Sequence, residues 1–407
     1  MQVDRAFERS RKGMKTEKMT NRMTAHYALI QMLFNIVCVA VYGFSSVYLR
    51  AQGLSDSHIG VVMALGTVIN IAAQPGLGSL ADRTRKISLN HLLVCFYVII
   101  LAAAAALAPA MLPVWAVVGL YMLMSFGVSI SETFTNSLAM QQVNRGIALN
   151  FGLARGIGSV GYAMGSLALG RLVAASSENA VMPFMMVFSV LSIAALLTFG
   201  RNSGERAAQE KPAQALKLTD FIRENKRFCL FVVGVALMYY CYCVRASYFY
   251  QIVLSVGGDV ERYGRVSAFT AFIELPAMAC FPVLSKKFKT RSILLFSAVC
   301  FLVRTLLLCF ANSMAWVYLS QSMQMVSYAL FVPSSVYYVN EMIGESNRNK
   351  GQSFLGMGQS VSSICASLCG GWMLTAAAGN PRPMLFTAVA VSAIGVFILF
   401  AVQPKKK

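Results

Sequence analysis

Long apolar runs alternate with short polar segments along the whole chain. An apolar run of about 18 residues is long enough to cross a bilayer as a helix, and a helix satisfies its own backbone hydrogen bonds in hydrocarbon. Twelve runs have this character, near residues 25–49, 58–80, 88–108, 113–140, 148–173, 181–199, 228–254, 265–284, 292–310, 314–340, 351–374 and 384–402. The pattern predicts an all-α integral membrane protein with twelve transmembrane helices.

The composition supports this interpretation. Hydrophobic residues make up 57% of the 407 residues and charged residues only 13%, against roughly 25% charged residues in soluble domains. The first apolar run follows a basic tail, residues 1–24, and is too long for the core of a signal peptide. It also lacks a small-residue cleavage site, so we interpret it as the first span.

Basic residues are concentrated in alternate loops. Of the 35 Lys and Arg residues, 27 lie in the N-terminal tail, the even-numbered loops and the C-terminal tail, five lie in the odd-numbered loops or at the span ends that adjoin them, and three lie deeper within spans. The positive-inside rule then predicts a cell-membrane protein with both termini in the cytoplasm. The net charge of +19 follows from this topology, so we do not expect nucleic acid as a partner.

The longest polar segment, residues 200–227, divides the spans six plus six. Many transporters consist of two related halves, and this segment has the position of the linker between them. The predicted organisation is a cytoplasmic basic tail (1–24), an N-terminal six-helix half (25–199), a cytoplasmic linker (200–227), a C-terminal six-helix half (228–402) and a cytoplasmic tail (403–407).

Two segments resemble a known family. The second span and its exit, residues 54–86, carry Gly78, Asp82 and Arg83 in a Gly-x-x-x-Asp-Arg pattern. This resembles the loop between helices 2 and 3 of the major facilitator superfamily. The fifth span, residues 151–172, carries Ala-Arg followed by Gly-x-x-Gly-aromatic. This pattern is similar to the lactose-permease-like branch of sugar and nucleoside proton symporters, and the resemblance covers essentially the whole chain.

The resemblance implies the major facilitator fold, with two pseudo-symmetric halves that move a small polar solute by alternating access together with protons. It also implies a gating role for Gly78, Asp82 and Arg83. A uniporter or an efflux antiporter of the same fold remains open, and a membrane enzyme or receptor is the alternative from another class. We expect no enzymatic activity, because acids, His residues and metal ligands do not cluster at one interface.

Five charged residues lie in the interior of the predicted spans, away from their ends: Glu132, Arg155, Arg245, Glu274 and Arg304. An ionisable side chain at the bilayer centre costs about 2.5–3.5 kcal/mol even on the lenient insertion scale, so each should face a polar cavity and pair with others. Three Arg residues against two Glu residues make such a cavity positive, which favours an anionic solute.

The N-terminal half contains most of the candidates for substrate binding. Arg155 and Glu132 lie at similar depth in spans 5 and 4, and in the family that the chain resembles an equivalent Glu–Arg pair holds the substrate hydroxyl groups. Asn136 is the alternative partner of Arg155. The resemblance also implies that Tyr162 stacks on a sugar ring or a nucleobase. Two further candidates lie two turns apart in span 1: Asn35 and Tyr42.

The C-terminal half contains the candidates for proton coupling. Glu274 in span 8 and Arg304 in span 9 resemble positions of the family's coupling network, and Arg245 in span 7 is a second possible partner of Glu274. Desolvation disfavours the charged form of a carboxylate and a nearby Arg favours it, so Glu274 can alternate between protonated and ion-paired states.

Span 10 departs from the family that the chain resembles. Lactose permeases have a His there and, one turn on, a Glu that carries the proton. This chain has Gln324 and Ser327 at those positions. We therefore assign Gln324 to substrate binding and Glu274 to proton coupling.

Other chemistries find no support in the sequence. The G-x-G-x-x-G at residues 156–161 lies inside a span with no strand before it, which excludes a dinucleotide loop. Gly152, Gly156, Gly161 and Gly165 instead give two G-x-x-x-G spacings that favour close helix packing. No P-loop is present, and the His and Cys residues are scattered. We expect no metal and no cofactor, and we expect a monomer whose partners are a small-molecule solute, protons and the lipid bilayer.

Overall fold

Twelve membrane helices follow one another in a computed structural model of the chain. The structure describes residues 21–83, 88–108, 112–144, 149–199, 223, 225–343 and 348–402. For residues 74–83, 144, 348 and 349 it describes the backbone alone. Within the described residues the chain contains no strand. The helices are α1 (Asn21–Gly43), α2 (Asp56–Arg83), α3 (Leu89–Leu107), α4 (Val114–Asn144), α5 (Phe151–Ala175), α6 (Val181–Thr198), α7 (Lys226–Ser247), α8 (Val260–Lys287), α9 (Thr290–Cys309), α10 (Met314–Ser322 and Tyr328–Met342), α11 (Arg348–Ala376) and α12 (Arg382–Ala401). The predicted all-α fold with twelve spans is confirmed.

Ten of the described helices are long and apolar enough to cross a membrane by length and composition. The other two are α10, which is interrupted, and α11, which contains many Gly and Ser residues. Large apolar side chains are exposed on several helices, including Phe397 (75%) and Trp372 (66%). Such exposure is expected where lipid is the solvent, because lipid tails are as apolar as the side chains.

Two described helices are interrupted in addition to α10. α1 ends in a π-helical turn, Val39–Gly43, and continues as the short helix Ser45–Ala51. α7 breaks at Tyr248 and continues as Phe249–Ser255. Membrane helices tolerate such breaks where neighbouring protein or a water-filled cavity satisfies the backbone, and π-turns are frequent at functional sites. The breaks in α1 and α7 lie near the ends that adjoin odd-numbered loops.

The described residues form two compact units. The first contains α1 up to Val41, α2 from Ala72, α3, α4, α5 up to Gly165, and α6. The second contains the six helices α7 to α12 together with residues 42–71 and 166–180. The boundary between the two predicted six-helix halves falls in residues 200–227, which lie outside the described residues apart from 223 and 225–227, and it stays a prediction.

Glycines bring α5 close to α1 in the first unit. A Cβ atom at Gly161 would lie 2.6 Å from the Met32 backbone oxygen, and one at Gly165 would lie 3.3 Å from a side-chain carbon of Ile36. The predicted close packing is confirmed at these two glycines. It is wrong for Gly156, which has no neighbour within 4 Å of such a Cβ atom. The contact fixes the rotation of α5 and with it the directions of its polar side chains.

Glycines also bring helices together in the second unit, at the ends that adjoin the odd-numbered loops. Gly60 of α2 lies against the Ser367 backbone oxygen of α11, and Gly371 of α11 lies against the backbone of α2. A Cβ atom at Gly170 of α5 would lie 3.0 Å from the Cα atom of Gly264 in α8. We call this region, defined by Gly60, Gly170, Gly264 and Gly371, the odd-loop junction.

Candidate functional site

Arg304 is at the centre of a buried polar network in the second unit. Its side chain on α9 is fully buried, with 0% exposure. Its Nη1 donates to Gln324 Oε1 and, at 3.4 Å, to Ser327 Oγ, and its Nη2 donates to Gln321 Oε1. A guanidinium removed from water needs acceptors for its five N–H groups, and α10 supplies these three.

The interruption of α10 aligns the three acceptors. Met323–Met325 form a 3₁₀ turn between the two α-helical segments. A 3₁₀ helix has three residues per turn, so side chains three positions apart lie above one another. Gln321, Gln324 and Ser327 have this spacing. In an uninterrupted α-helix the same three side chains would turn progressively away from a single partner.

Two arginines share Gln321 as an acceptor. Gln321 Oε1 accepts from Arg245 Nη1 at 3.1 Å and from Thr270 Oγ1 at 3.4 Å, in addition to Arg304. Gln321 Nε2 and Arg304 Nε have no hydrogen-bond partner in the described part of the structure. One neutral amide oxygen thus serves two buried cations, and the network holds more donors than it satisfies.

Glu274 joins the network through Gln324. Gln324 Nε2 donates to Glu274 Oε2 at 3.0 Å, while Gln324 Oε1 accepts from Arg304. Glu274 is half-buried on α8, whereas Arg304, Arg245 and Gln324 are buried. The structure brings the three residues assigned to proton coupling into one network with Gln324, and their coupling role stays a prediction.

Tyrosine rings lie beside this network on α7 and α10. Tyr242 and Tyr328 are stacked, with ring centroids 4.4 Å apart and an interplanar angle of 14°. Arg245 Cζ lies 5.3 Å from the centroid of Tyr242, within the distance of a cation–π interaction. Tyr239 packs against Tyr242 at 5.6 Å. The half-buried rings offer apolar faces and hydroxyl groups, as binding sites for sugar rings and nucleobases do.

The candidates on α4 and α5 lie in the first unit. Glu132 and Arg155 are both exposed although each lies within a membrane helix, and Arg155 acts electrostatically on the Glu132 carboxylate. Within the described residues the two form no direct ion pair. Asn136, one turn after Glu132, and Tyr162, two turns after Arg155, are half-buried. The role of these side chains in solute binding stays a prediction, as does the partner of Arg155.

Asn35 and Tyr42 differ in their surroundings on α1. Asn35 Nδ2 donates to the Gln31 backbone oxygen at 2.8 Å and lies against Gly158 of α5. Tyr42 lies in the π-helical turn and is 43% exposed. A π-helical turn changes the rotation per residue, so the spacing of Asn35 and Tyr42 does not by itself put them on one face. Their role in substrate binding stays a prediction.

The residues assigned to gating lie at the end of α2. Gly78, Asp82 and Arg83 belong to its last two turns, since the helix ends at Arg83. Their side chains lie outside the described residues, and the gating role stays a prediction.

The sequence analysis missed Gln321 and the tyrosine pair, Tyr242 and Tyr328. A signal for Gln321 was present, because it precedes Gln324 by three residues inside an apolar run. Two amides at this spacing in a span need buried partners, as a charged residue does. No comparable signal marks the tyrosines, because aromatic residues in membrane helices also pack against one another.

A twelve-helix membrane fold with buried charges joined across helices is typical of secondary transporters. The chain matches the MFS_1 like family over residues 26–386. It therefore belongs to this family, within the major facilitator superfamily of transporters, and is a multi-pass membrane transporter and not an enzyme.

Known relatives and solved structures agree with this assignment. A maltose permease from Geobacillus stearothermophilus is 26% identical over 387 residues, which are 92% of this chain and 94% of that protein. The uncharacterized transporter YwbF of Bacillus subtilis (strain 168) is 24% identical over 78% of each chain. The crystal structure of the nucleoside transporter NupG matches with a TM-score of 0.81 at 15% identity, over 95% of this chain and 100% of that one.

A more distant structural match has the same architecture. The inward-facing structure of a bacterial homolog of the human lysosomal transporter Spinster has a TM-score of 0.65 at 14% identity, and the match covers 95% of this chain and 96% of that one. At such identities the structural matches show the fold alone. The predicted membership of the major facilitator superfamily is confirmed.

Proposed function

We propose that this protein is a secondary active transporter in the cell membrane that moves a small polar solute together with protons by alternating access. Its solute is a sugar, a nucleoside or an organic anion. The two six-helix halves, residues 25–199 and 228–402, alternate in access around the solute. The protein acts as a monomer, with the end of α2 at Gly78, Asp82 and Arg83 as part of the cytoplasmic gate.

The observation that carries this proposal is the network around Arg304. Arg304 and Arg245 are buried within membrane helices, and half-buried Glu274 is joined to Arg304 through Gln324. Buried ionisable groups are costly in a membrane, and they are found on substrate and ion pathways. A half-buried carboxyl group linked to buried arginines can change its protonation state as the surroundings change, as coupling to a proton gradient requires.

The choice of solute class rests on three features. The stacked pair Tyr242 and Tyr328 offers ring faces that suit a sugar or a nucleobase. The name maltose permease belongs to a relative of this chain, and the name nucleoside transporter to a protein of the same fold. The excess of Arg over Glu within the helices favours a solute that carries negative charge.

Reconstitution into liposomes tests the proposed function. Thermal unfolding in the presence of sugars, nucleosides and organic anions identifies the solute, because a ligand that binds only the folded state raises the apparent stability. Counterflow of that solute without chemical conversion supports transport. Accumulation driven by a pH gradient supports proton coupling, whereas counterflow without such accumulation supports a uniporter.

The orientation gives a prediction about the termini. A reporter protein fused after Lys407 should be located in the cytoplasm, because 27 of the 35 Lys and Arg residues lie on the side of the two tails and the even-numbered loops. The linker, residues 200–227, should be cleaved by protease added to inside-out vesicles. The measurement is reporter activity and protease sensitivity in vesicles of both orientations. A reporter outside the cell would contradict the predicted topology, because either the orientation would be reversed or the number of spans would be odd.

Substitution of Arg155 by Lys should weaken solute binding by about ten- to a hundredfold, the loss expected when a hydrogen bond to a charged group is broken. A guanidinium forms paired hydrogen bonds that an ammonium group cannot reproduce. Because Arg155 is exposed, the substitution should leave folding nearly unchanged. The measurement is the solute concentration that gives half-maximal counterflow.

Arg171→Lys is the matched control for this prediction. Arg171 is also an exposed arginine of α5, but it lies at the end of the helix that adjoins the odd-numbered loops. Its substitution should leave solute binding unchanged. Unchanged binding in Arg155→Lys would remove Arg155 from the site.

A further inference from the structure

The interior of helices α7 to α12 contains more positive than negative charge. Arg304 and Arg245 are 0% and 5% exposed, and Glu274 is the acid that acts electrostatically on both guanidinium groups. The other acidic residues described on these six helices lie at helix ends: Glu261 in the first turn of α8 and Glu341 in the last turn of α10. A buried charge is costly unless a counter-charge lies near it, so the second cation needs an anion that these helices do not supply.

The hydrogen bonds of the network show the same imbalance. An amide oxygen has two lone pairs, yet Gln321 Oε1 accepts from Arg245 Nη1, Arg304 Nη2 and Thr270 Oγ1. Gln321 Nε2 and Arg304 Nε are buried without a hydrogen-bond partner in the described part of the structure. One further acceptor, if it took over one of the donors of Gln321, would match donors to lone pairs at this oxygen.

Arg245 lies on the accessible side of the network. Arg304 has no exposed surface and donates to three side chains of α10, whereas Arg245 donates among the described side chains to Gln321 alone. Arg245 Cζ lies 5.3 Å from the ring centroid of Tyr242, and both members of the stacked pair, Tyr242 and Tyr328, are half-buried. A ligand that packs on this tyrosine pair would therefore lie next to the guanidinium group of Arg245.

On the basis of the proposed transport function, we propose that its solute is a ring compound with one carboxylate group, and that Arg245 binds this carboxylate. The ring packs on the faces of the stacked tyrosine pair. The carboxylate accepts the hydrogen bond that Arg245 otherwise donates to Gln321. Gln321 Oε1 then has two donors, Arg304 and Thr270, for its two lone pairs.

The size of the charge imbalance favours a solute with a single negative charge. One carboxylate makes the group of Arg245, Arg304, Glu274 and solute neutral. A phosphate group has a charge of about −1.5 to −2 at pH 7 and would leave the same group negative. A neutral sugar or nucleoside would leave the second arginine without a counter-charge. A carboxylate can also form two parallel hydrogen bonds with one guanidinium group.

Thermal unfolding of the purified full chain in detergent tests this site with matched pairs of probes. Benzoate is compared with benzamide, and D-glucuronate with D-glucose, at constant ionic strength. A ligand that binds the folded state raises the apparent unfolding temperature. In the wild type, the carboxylate of at least one pair should give its half-maximal shift at a concentration about ten- to a hundredfold lower than its neutral partner, the ratio expected for a hydrogen bond to a charged group.

Two variants should abolish the preference for the carboxylate probe. Arg245→Gln removes the cation that binds it. Gln321→Glu retains both arginines but supplies them with a carboxylate from the chain itself, so an added anion is no longer needed. Because Gln321→Glu leaves no buried cation without a counter-charge, the test does not depend on the folding of Arg245→Gln.

Arg382→Gln is the matched control, because Arg382 is an exposed arginine at the start of α12. It should keep the preference of the wild type, which separates the site from a general attraction of anions to a chain with a net charge of +19. Equal shifts from both members of both pairs in the wild type would overturn the proposal. A preference that persists in Arg245→Gln or Gln321→Glu would also overturn it, because the anion would then bind elsewhere.

The binding result and the transport result can fail separately. Unfolding is measured without a membrane or a gradient, so an absence of transport in liposomes would leave the preference for the carboxylate probe unchanged. Counterflow of a neutral sugar, with no preference for its carboxylate analogue, would support the proposed transport function and contradict the carboxylate site at Arg245.

Discussion

Substitution of Glu274 by Gln should abolish uphill accumulation of solute while leaving counterflow intact. The amide of Gln can still accept the hydrogen bond that Gln324 Nε2 donates to Glu274, so the network should keep its shape. It cannot release a proton, so transport loses its link to the pH gradient. With one proton per solute, a gradient of one pH unit can drive about tenfold accumulation. In the variant the internal and external solute concentrations should become equal.

The measurement compares uptake driven by a pH gradient with counterflow in the absence of a gradient. Glu261→Gln is the matched control, because Glu261 is part of an exposed i,i+4 ion pair with Arg265 at 3.5 Å, and such pairs contribute little. It should accumulate solute as the wild type does. If Glu274→Gln also accumulates solute normally, the proton binds elsewhere, and Glu132 is the next candidate.

The fold could be predicted from the sequence because each span is a strong local signal. A run of about 18 apolar residues has few stable alternatives to a membrane helix. The ends of the helices were less predictable. The fourth span was expected over residues 113–140, whereas α4 extends over Val114–Asn144. Polar residues at the membrane surface can continue a helix, and the apolar pattern does not report them.

The break in α10 could not be predicted from the sequence. Pro333 is the residue of this span that interrupts helical hydrogen bonding most strongly, yet the 3₁₀ turn lies at Met323–Met325, well before it. The turn coincides with the residues that face Arg304. The demand of a buried guanidinium for acceptors on another helix is a tertiary effect, which no local pattern encodes.

The partners of the buried charges were predicted only in part. The sequence indicated that Arg304 and Glu274 belong together, and the structure places Gln324 between Glu274 and Arg304. Charge complementarity identifies which side chains need partners. It does not identify neutral amides that can serve a cation and an anion at once, as Gln324 does.

Among the described residues, Gln321 is hydrogen-bonded only to cations and Thr270, whereas Gln324 is hydrogen-bonded to a cation and an anion. Substitution by Glu should therefore change the stability of the protein in opposite directions at these two positions of α10. Gln321→Glu should stabilise the protein at neutral pH, because a carboxylate would accept from Arg245 and Arg304 and would remove the unpartnered Nε2. A hydrogen bond to a charged group contributes about 1.5–3 kcal/mol. The same substitution should slow transport, because both arginines would be held in one arrangement.

Gln324→Glu should instead destabilise the protein at neutral pH. Gln324 Nε2 donates to Glu274 Oε2 at 3.0 Å, so the substitution would remove a donor and put two carboxylates in contact. Two carboxylates that share a site cannot both ionise readily, and stability should recover as the pH falls and the pair binds a proton.

The measurement is the apparent unfolding temperature of the full chain at about pH 5.5 and about pH 7.5, at one heating rate because unfolding of such proteins is often irreversible. At neutral pH, Gln321→Glu should unfold above the wild type and Gln324→Glu below it. Shifts of the same sign would contradict the division of roles, in which Gln321 serves the two arginines and Gln324 joins one of them to Glu274.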